Sequence, residues 1–219
     1  MKFTKMHGAG NDYIYVNCMD CNIEDPSSLA VKLSDRHIGI GSDGLVLIQP
    51  SKNADFYMRM FNADGSEGSM CGNAIRCVAK YVYDNKLTDK LNLDIETKSG
   101  IKHLKLFLDK EGLVDSAEVD MGIAYLKRCE IPMAYDDSSK EEMYINKPLY
   151  VSGKRYNVTC VSMGNPHCVI FMTDKVNKTN LDKSLDLLDL DKIGPDFEKH
   201  PIFPDRINTE FVEVIDKNK

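Results

Sequence analysis

The chain has 219 residues, of which 42% are hydrophobic and 28% are charged, an ordinary balance for a globular protein of one large or two small domains. Its formal net charge of −6 argues against nucleic acid as a partner, because nucleic-acid-binding proteins present a basic face. The first residues lack the apolar core of a secretory signal, and no apolar run is long enough for a membrane span. We therefore expect no membrane association and a cytoplasmic location.

The chain contains seven cysteines, an odd number, which we interpret as reduced thiols in the absence of an export signal. Cys18 and Cys21 form a C-x-x-C pair, but a zinc site would need a second pair at similar spacing, and the chain has none. A redox pair would lie between a strand and a helix, whereas this one lies in a predicted loop. We expect neither a metal site nor a redox site here.

In chain order, the first half alternates short apolar runs with glycine-rich turns, as strands and loops do. The predicted elements are strands within 3–16, a helix to about residue 35, and strands at 45–49, 54–61, 91–97, 101–108 and 114–121. The glycine-rich segments around Gly8 and Gly41 lack the following helix that nucleotide-binding loops require, so we reject a dinucleotide or phosphate loop.

The segment from Phe61 to Lys80, FNADGSEGSMCGNAIRCVAK, is the strongest candidate for chemistry. A turn containing Asn62 leads to Cys71, and apolar residues then follow at helical spacing. A thiol at a helix N-terminus lies beside unpaired backbone N–H groups and in the positive end of the helix dipole, which favours the thiolate. The same N–H groups, at Gly72 and Asn73, can bind a carboxylate. The alternative is that Cys71 simply packs, as most free cysteines do.

The second half contains predicted strands at 157–161, 168–172 and 210–215, a polar loop at 134–147, and a partly helical segment at 179–197 interrupted by Gly194-Pro195. We place a domain boundary near Ala117, which gives domains 1–117 and 118–219. Two landmarks occur in both halves: Asn11 and Asn165 each precede a strand, and Asn62 has a counterpart in Asn208. These short matches indicate two related halves.

Five longer motifs carry a resemblance to the diaminopimelate epimerase family, and they occur in the family's order over nearly the full length. They are MHGAGNDYIYV, RHIGIGSDGLV, FNADGSEGSMCGNAIRC, VSMGNPHCVIF and FPDRINTEFVEV. The resemblance implies an α/β (α+β) fold with two pseudo-symmetric domains, each a curved and mostly antiparallel sheet around a central helix, with the active site between them. It also implies cofactor-independent, two-base interconversion of LL- and meso-2,6-diaminopimelate, a small-molecule substrate.

The same resemblance assigns roles to particular residues. It implies that Cys71 is a catalytic base and that His167 supports the chemistry. The implied substrate-binding residues are Asn11, Asn62, Gly72, Asn73, Asn165 and Asn208. Asparagine can meet an ammonium or a carboxylate without adding charge, but it is also common in turns without any ligand.

Family members continue past this chain's end into a second Cys-Gly loop, so we expect an incomplete second domain and little or no epimerisation by this chain alone. Two alternative functions stay open: another cofactor-independent amino-acid racemase, such as a proline-racemase-like enzyme, and a thiol hydrolase that uses Cys71 with His167. A non-catalytic binding domain is a third alternative. The family often pairs, which leaves a homodimer open.

Overall fold

The computed structural model describes residues 1–172, 177, 185 and 188–216. Two compact units divide the chain, Met1–Met121 and Gly122–Lys219. The sequence-based boundary near Ala117 falls inside a strand, Val114–Val119, whose pairing with the preceding strand keeps it in the first unit. Residues 179–184, 186 and 187 of the predicted 179–197 segment lie outside the described residues.

The first unit contains an eight-stranded mixed sheet and two helices. Its elements are β1 (Thr4–Gly8), β2 (Asn11–Asn17), α1 (Pro26–Ser34), β3 (Gly44–Gln49), β4 (Phe56–Asn62), β5 (Glu67–Gly68), α2 (Gly72–Asp84), β6 (Asn92–Thr97), β7 (Gly100–Leu108) and β8 (Val114–Val119). The strand order is β1-β2-β3-β4-β6-β7-β8, with β5 paired to β4. The β2–β3 and β4–β6 pairs are parallel and the others are antiparallel.

The sheet curls around α2, because this helix packs against both β1 and β8, the two ends of the strand order. Ile75, Val78 and Val82 of α2 are completely buried. Truncating one such isoleucine to alanine typically costs about 2–5 kcal/mol, so this helical stripe holds the unit together. The predicted helix after Cys71 is therefore confirmed as the centre of the first unit.

The central strands are buried on both faces, which explains their unbroken apolar sequence. Tyr15 and Val46 face the core around α2, whereas Ile14 and Leu45 face a second core that α1 covers. Helix α1 begins at Pro26, and the carboxylate of its N-cap, Asp25, accepts a hydrogen bond from the backbone N–H of Ser28 at 3.0 Å.

The second unit contains a four-stranded sheet in the order β12-β11-β10-β9. Its elements are β9 (Lys147–Val151), β10 (Lys154–Ser162), β11 (Pro166–Phe171), α3 (Leu190–Glu198) and β12 (Asn208–Val212). Strands β11 and β12 are parallel, and the other two pairs are antiparallel. Strand β9 begins at the end of the polar loop predicted at 134–147. Strands β10, β11 and β12 begin before the starts predicted for them at 157, 168 and 210.

Helix α3 packs into the core of the second unit through Phe197, which is fully buried. Its ring makes edge-on contacts with Tyr156 at 5.0 Å and with Phe211 at 5.4 Å between centroids. Contrary to the sequence-based expectation, α3 runs through Gly194-Pro195 without interruption. Pro195 removes one N–H donor from a helix of nine residues. Burial of Phe197, two residues later, compensates for the lost hydrogen bond.

Candidate active site

Cys71 is the N-cap of α2, as its sequence context predicts. It is extended (φ −140°, ψ 118°), its carbonyl accepts from the Ile75 N–H at 3.0 Å, and its Sγ accepts from the Ala74 N–H at 3.5 Å. The thiol is half-buried rather than sealed in the core. By contrast, Cys77 of the same helix is buried and packs in the core.

Gly72 and Asn73 occupy the first two positions of α2, where backbone N–H groups have no partner within a helix. The Asn73 side chain is tied to its own helix, since its Oδ1 accepts from Nη2 of Arg76 at 2.6 Å. Its backbone lies against Gly8, where an added Cβ would be 2.8 Å from the Asn73 carbonyl oxygen. This close approach brings the β1–β2 hairpin to the N-terminus of α2.

The strand register places Asn11 and Asn62 at the same end of neighbouring strands in the sheet. Asn11 begins β2, Gly44 begins the parallel strand β3, and Asn62 ends β4 opposite Gly44. Asn11 reaches the thiol, since its Oδ1 accepts from Cys71 Sγ at 3.5 Å. The Asn62 side chain instead donates to Ser66 Oγ at 2.9 Å, within its own turn.

Asp43 supports Asn11 from the loop before β3. Its Oδ2 accepts from Asn11 Nδ2 at 2.8 Å and from the Asp12 backbone N–H at 3.0 Å. Its Oδ1 accepts from Arg36 Nη2 at 2.9 Å, and the same nitrogen lies 2.7 Å from Asp12 Oδ1. Asp43 is not among the predicted site residues, although it lies in a motif that carries the family resemblance.

Tyr13 is a second residue of this region that the sequence analysis did not single out. It follows Asn11 on the same face of β2 and is buried, in the core cluster on which Cys71 packs. Burial, followed by the proximity of the Cys71 sulfur, raises the pKa of Tyr13 to about 12. Tyr13 is therefore a neutral phenol at physiological pH.

In the second unit, the parallel register of β11 and β12 brings three candidate residues together. His167 is directly opposite Asn208, and Asn165 immediately precedes β11. Asn208 Nδ2 donates to the Pro166 carbonyl at 3.1 Å, and the residue borders a cavity of about 360 Å³. Asn165 and Asn208 are both exposed.

Glu210 holds the imidazole of His167, with Nδ1 of the histidine 2.7 Å from Glu210 Oε1. A carboxylate on Nδ1 selects the tautomer that carries its proton there, which leaves Nε2 as an acceptor. Sequence reasoning missed Glu210. Its position two residues after Asn208 along a strand was the available signal, because alternate residues share a face.

Within the described part of the chain, no group of three or more His, Cys, Asp or Glu side chains is placed to hold a metal ion. Nor does that part include a helix that is both long and apolar enough to cross a membrane.

Comparison with known proteins decides the family. The family model described as diaminopimelate epimerase matches residues 3–127. Diaminopimelate epimerase from Acetivibrio thermocellus is 54% identical over 217 residues, which cover 99% of this chain and 72% of that protein. The chain belongs to the diaminopimelate epimerase family. Other relatives of that name come from Agathobacter rectalis, at 50% identity over 100% of this chain and 74% of the relative, and from Methanococcus maripaludis, at 52% over 100% and 73%.

Solved structures agree with the α+β fold expected for the diaminopimelate epimerase family. A phenazine biosynthesis protein of the PhzF family from Bacillus anthracis has a TM-score of 0.59 at 19% identity, over 99% of this chain and 69% of that one. A probable proline racemase from Agrobacterium radiobacter has a TM-score of 0.52 at 11% identity, over 78% and 51%. At these identities the likeness concerns the fold alone.

Proposed function

We propose that Cys71 of this chain is one of the two acid–base groups of a diaminopimelate epimerase, an isomerase that interconverts the LL and meso forms of 2,6-diaminopimelate, a step of lysine biosynthesis. The observation that carries the proposal is the half-buried Cys71 thiol at the start of α2, in contact with Asn11. Family membership supports the reaction class, and the named relatives support diaminopimelate over proline as the substrate.

The N-terminus of α2 suits the substrate carboxylate. Backbone N–H groups of Gly72 and Asn73 point out of the first turn, where the helix dipole favours negative charge. Removing the α proton gives a carbanion with enolate character, and its charge develops on the carboxylate oxygens. N–H donors aimed at those oxygens stabilise the transition state more than the ground state.

Cys71 is the proposed base and acid for one face of the α-carbon. Its thiolate takes the α proton to form S–H, and in the reverse direction the thiol returns a proton to the carbanion. A thiol can serve both roles near neutral pH, so the reaction needs no cofactor. Inversion of the α-carbon also requires an acid on the opposite face, because protonation from the side of Cys71 alone regenerates the starting stereoisomer.

Asparagine side chains are the proposed substrate-binding groups. The amides of Asn11, Asn62, Asn165 and Asn208 offer donors and acceptors to a substrate that carries two ammonium and two carboxylate groups. His167, with its imidazole oriented by Glu210, acts as the supporting acid–base group. We also propose a cytoplasmic location, because all seven cysteines are free thiols, and a homodimer, which sedimentation would test.

Incubation with each diaminopimelate stereoisomer in heavy water tests the proposal. We expect deuterium at an α-carbon, followed by mass spectrometry and NMR, and loss of that exchange in Cys71→Ala. Bound substrate without any α exchange would overturn the proposal. Accumulation of an acyl-enzyme with an ester substrate, again without α exchange, would instead identify a thiol hydrolase.

A further inference from the structure

We propose that Asp43 is a positioning residue that fixes the side-chain amide of Asn11 with its oxygen, not its NH₂ group, facing the Cys71 sulfur. The consequence is that Asn11 stabilises the protonated form of Cys71. This inference rests on the proposed role of Cys71 and adds a residue that prepares it for acid chemistry.

The hydrogen-bond chemistry of the three side chains fixes the orientation. An ionised carboxylate only accepts hydrogen bonds, so the branch of the Asn11 amide that faces it must be the NH₂ group. That branch lies 2.8 Å from Asp43 Oδ2. The opposite branch, Oδ1, is then the one that faces Cys71 Sγ at 3.5 Å.

The Asp43 carboxylate is itself held in place from two sides. Its Oδ2 also accepts from the Asp12 backbone N–H at 3.0 Å, and its Oδ1 accepts from the Arg36 guanidinium at 2.9 Å. Arg36 is shared with the Asp12 carboxylate, which also pairs with Lys5 at 3.0 Å. Two carboxylates and two cations therefore form a cluster with no net charge beside Asn11.

The orientation matters because the oxygen and the NH₂ group of an amide have opposite effects on a thiol. An amide oxygen accepts from S–H and gives nothing to a thiolate, whereas an NH₂ group would donate to the thiolate. The N–H of Ala74 already donates to the sulfur and favours the thiolate. Asn11 opposes that effect and keeps a proton on Cys71, directed along the line from Sγ to Oδ1.

Other titratable and charged groups lie around Cys71, and the phenol of Tyr13 interacts with both Cys71 and Asn11. Tyr13 of β2 stays a phenol, because burial raises its pKa to about 12, and burial also raises the pKa of Cys77 of α2. Arg76 of α2 is bonded to Asn73. His7 of β1 is paired in the register with Asp12 and is exposed.

Alkylation of Cys71 tests the inference without any substrate. The rate at pH 7 would be followed on the Cys71 peptide by mass spectrometry, because six other thiols are present. In Asp43→Asn, the charged Arg36 guanidinium takes the new amide oxygen, which turns the NH₂ group toward Asn11 at the cost of the hydrogen bond from the Asp12 N–H, so Asn11 flips and donates to the sulfur. We expect a severalfold faster alkylation, because more of the thiol is ionised although each thiolate is somewhat less nucleophilic.

Asp12→Asn is the matched control, because it removes one carboxylate from the same cluster but its side chain does not contact the Asn11 amide. We expect its rate to stay within about twofold of the wild type. Asn11→Ala removes the acceptor of the S–H and should raise the rate severalfold on its own, which keeps the inference testable if Asp43→Asn does not fold. In the Asn11→Ala background, Asp43→Asn should add nothing.

Three results would overturn the inference: equal acceleration in Asp43→Asn and Asp12→Asn, no acceleration in Asp43→Asn and Asn11→Ala, or an Asp43→Asn effect that persists without the Asn11 amide. Because alkylation does not depend on turnover, failure of the proposed epimerase activity would be separate. In that case the heavy-water exchange would be absent while the alkylation pattern stayed as expected.

Discussion

The backbone N–H of Ala74 donates to Sγ of Cys71 over 3.5 Å, so one side chain is both the N-cap of α2 and the proposed base. Substituting Cys71 therefore mixes a structural effect with a chemical one. Serine and alanine separate the two, because serine is among the best N-cap residues and alanine cannot cap at all.

We expect Cys71→Ser and Cys71→Ala both to lose α-hydrogen exchange by at least about a hundredfold, the usual contribution of a positioned base. Their unfolding should differ. Cys71→Ala should lower the free energy of unfolding by about 0.5–1 kcal/mol, whereas Cys71→Ser should leave it unchanged or higher. Urea unfolding and heavy-water exchange on the same samples check this. Exchange at the wild-type rate in Cys71→Ser would exclude the thiol as the base.

Glu210→Gln tests whether the carboxylate beside His167 has a role in the chemistry. The substitution keeps size but removes the charge that faces Nδ1 across 2.7 Å, so the imidazole loses the carboxylate that fixes its tautomer. We expect the exchange rate to fall by about tenfold or more, with a changed pH profile. Glu213→Gln, at an exposed carboxylate shortly after β12, is the control and should match the wild type. Equal rates in both variants would leave Glu210 without a role.

The turn that delivers Asn11 contains a strained alanine. Ala9 and Gly10 lie between paired residues Gly8 and Asn11 and have φ values of 53° and 88°. Positive φ at both positions is the geometry of a type I′ hairpin turn, which favours glycine or asparagine.

Ala9→Gly should therefore raise the free energy of unfolding by about 0.5 kcal/mol, since relief of strain exceeds the entropic cost of glycine. Gly10→Ala should lower it by about 1–2 kcal/mol through backbone strain alone, because an added Cβ there meets no atom within 4 Å. Thermal unfolding checks both. Destabilisation by Ala9→Gly would show that the turn does not carry this strain.

Local sequence patterns predict those features that a short segment of the chain determines by itself. Cys71 was identified because a turn, a thiol and a helical apolar stripe follow one another within a short segment. Short local patterns also predict Asn11 and Asn62 at the ends of strands. The two residues lie at the same end of the sheet because β2 pairs with β3 in parallel and β3 pairs with β4.

The contacts of Asp43 and Glu210 cannot be predicted in this way, because their partners are distant in the chain and are set by strand register. Asp43 meets Asn11 only after β3 pairs with β2, and Glu210 meets His167 only after β12 pairs with β11. The break predicted at Gly194-Pro195 is absent from α3 for a related reason, since tertiary burial of Phe197 overrides a local helix-breaking signal.

Gly8 allows the hairpin to reach the N-terminus of α2. A Cβ at this position would lie 2.8 Å from the Asn73 carbonyl oxygen, closer than real contacts, and the obstacle is backbone that does not yield easily. Gly8→Ala should cost about 1–3 kcal/mol of unfolding free energy and should weaken diaminopimelate binding, because Asn11 moves away from Cys71.

Gly194→Ala is the matched control for Gly8→Ala. Gly194 lies in α3, and an added Cβ there meets nothing within 4 Å apart from its chain neighbours. Alanine at this position gains helix propensity but its Cβ meets the ring of Pro195, so this variant should stay within about 1 kcal/mol of the wild type. Urea unfolding and calorimetric titration compare the two. Unchanged binding in Gly8→Ala would separate the hairpin from the substrate site.

The ion-pair cluster beside Asn11 should give the protein an acid-sensitive component of stability. The Arg36 guanidinium, hydrogen-bonded to Asp12, holds the pKa of that carboxyl well below its usual value of 3.8. A carboxyl whose pKa is lower in the folded state contributes stability above its unfolded pKa, and that contribution is lost as the pH falls below about 4. Asp12→Asn should therefore be less stable than the wild type at pH 7, by about 1 kcal/mol or less because the pair is near the surface.

The difference should shrink steadily between pH 4 and pH 2 in urea unfolding at constant salt. Asp20→Asn, at an exposed carboxylate, should show no such convergence. A difference between wild type and Asp12→Asn that stays constant from pH 7 to pH 2 would contradict the assignment of this component to Asp12.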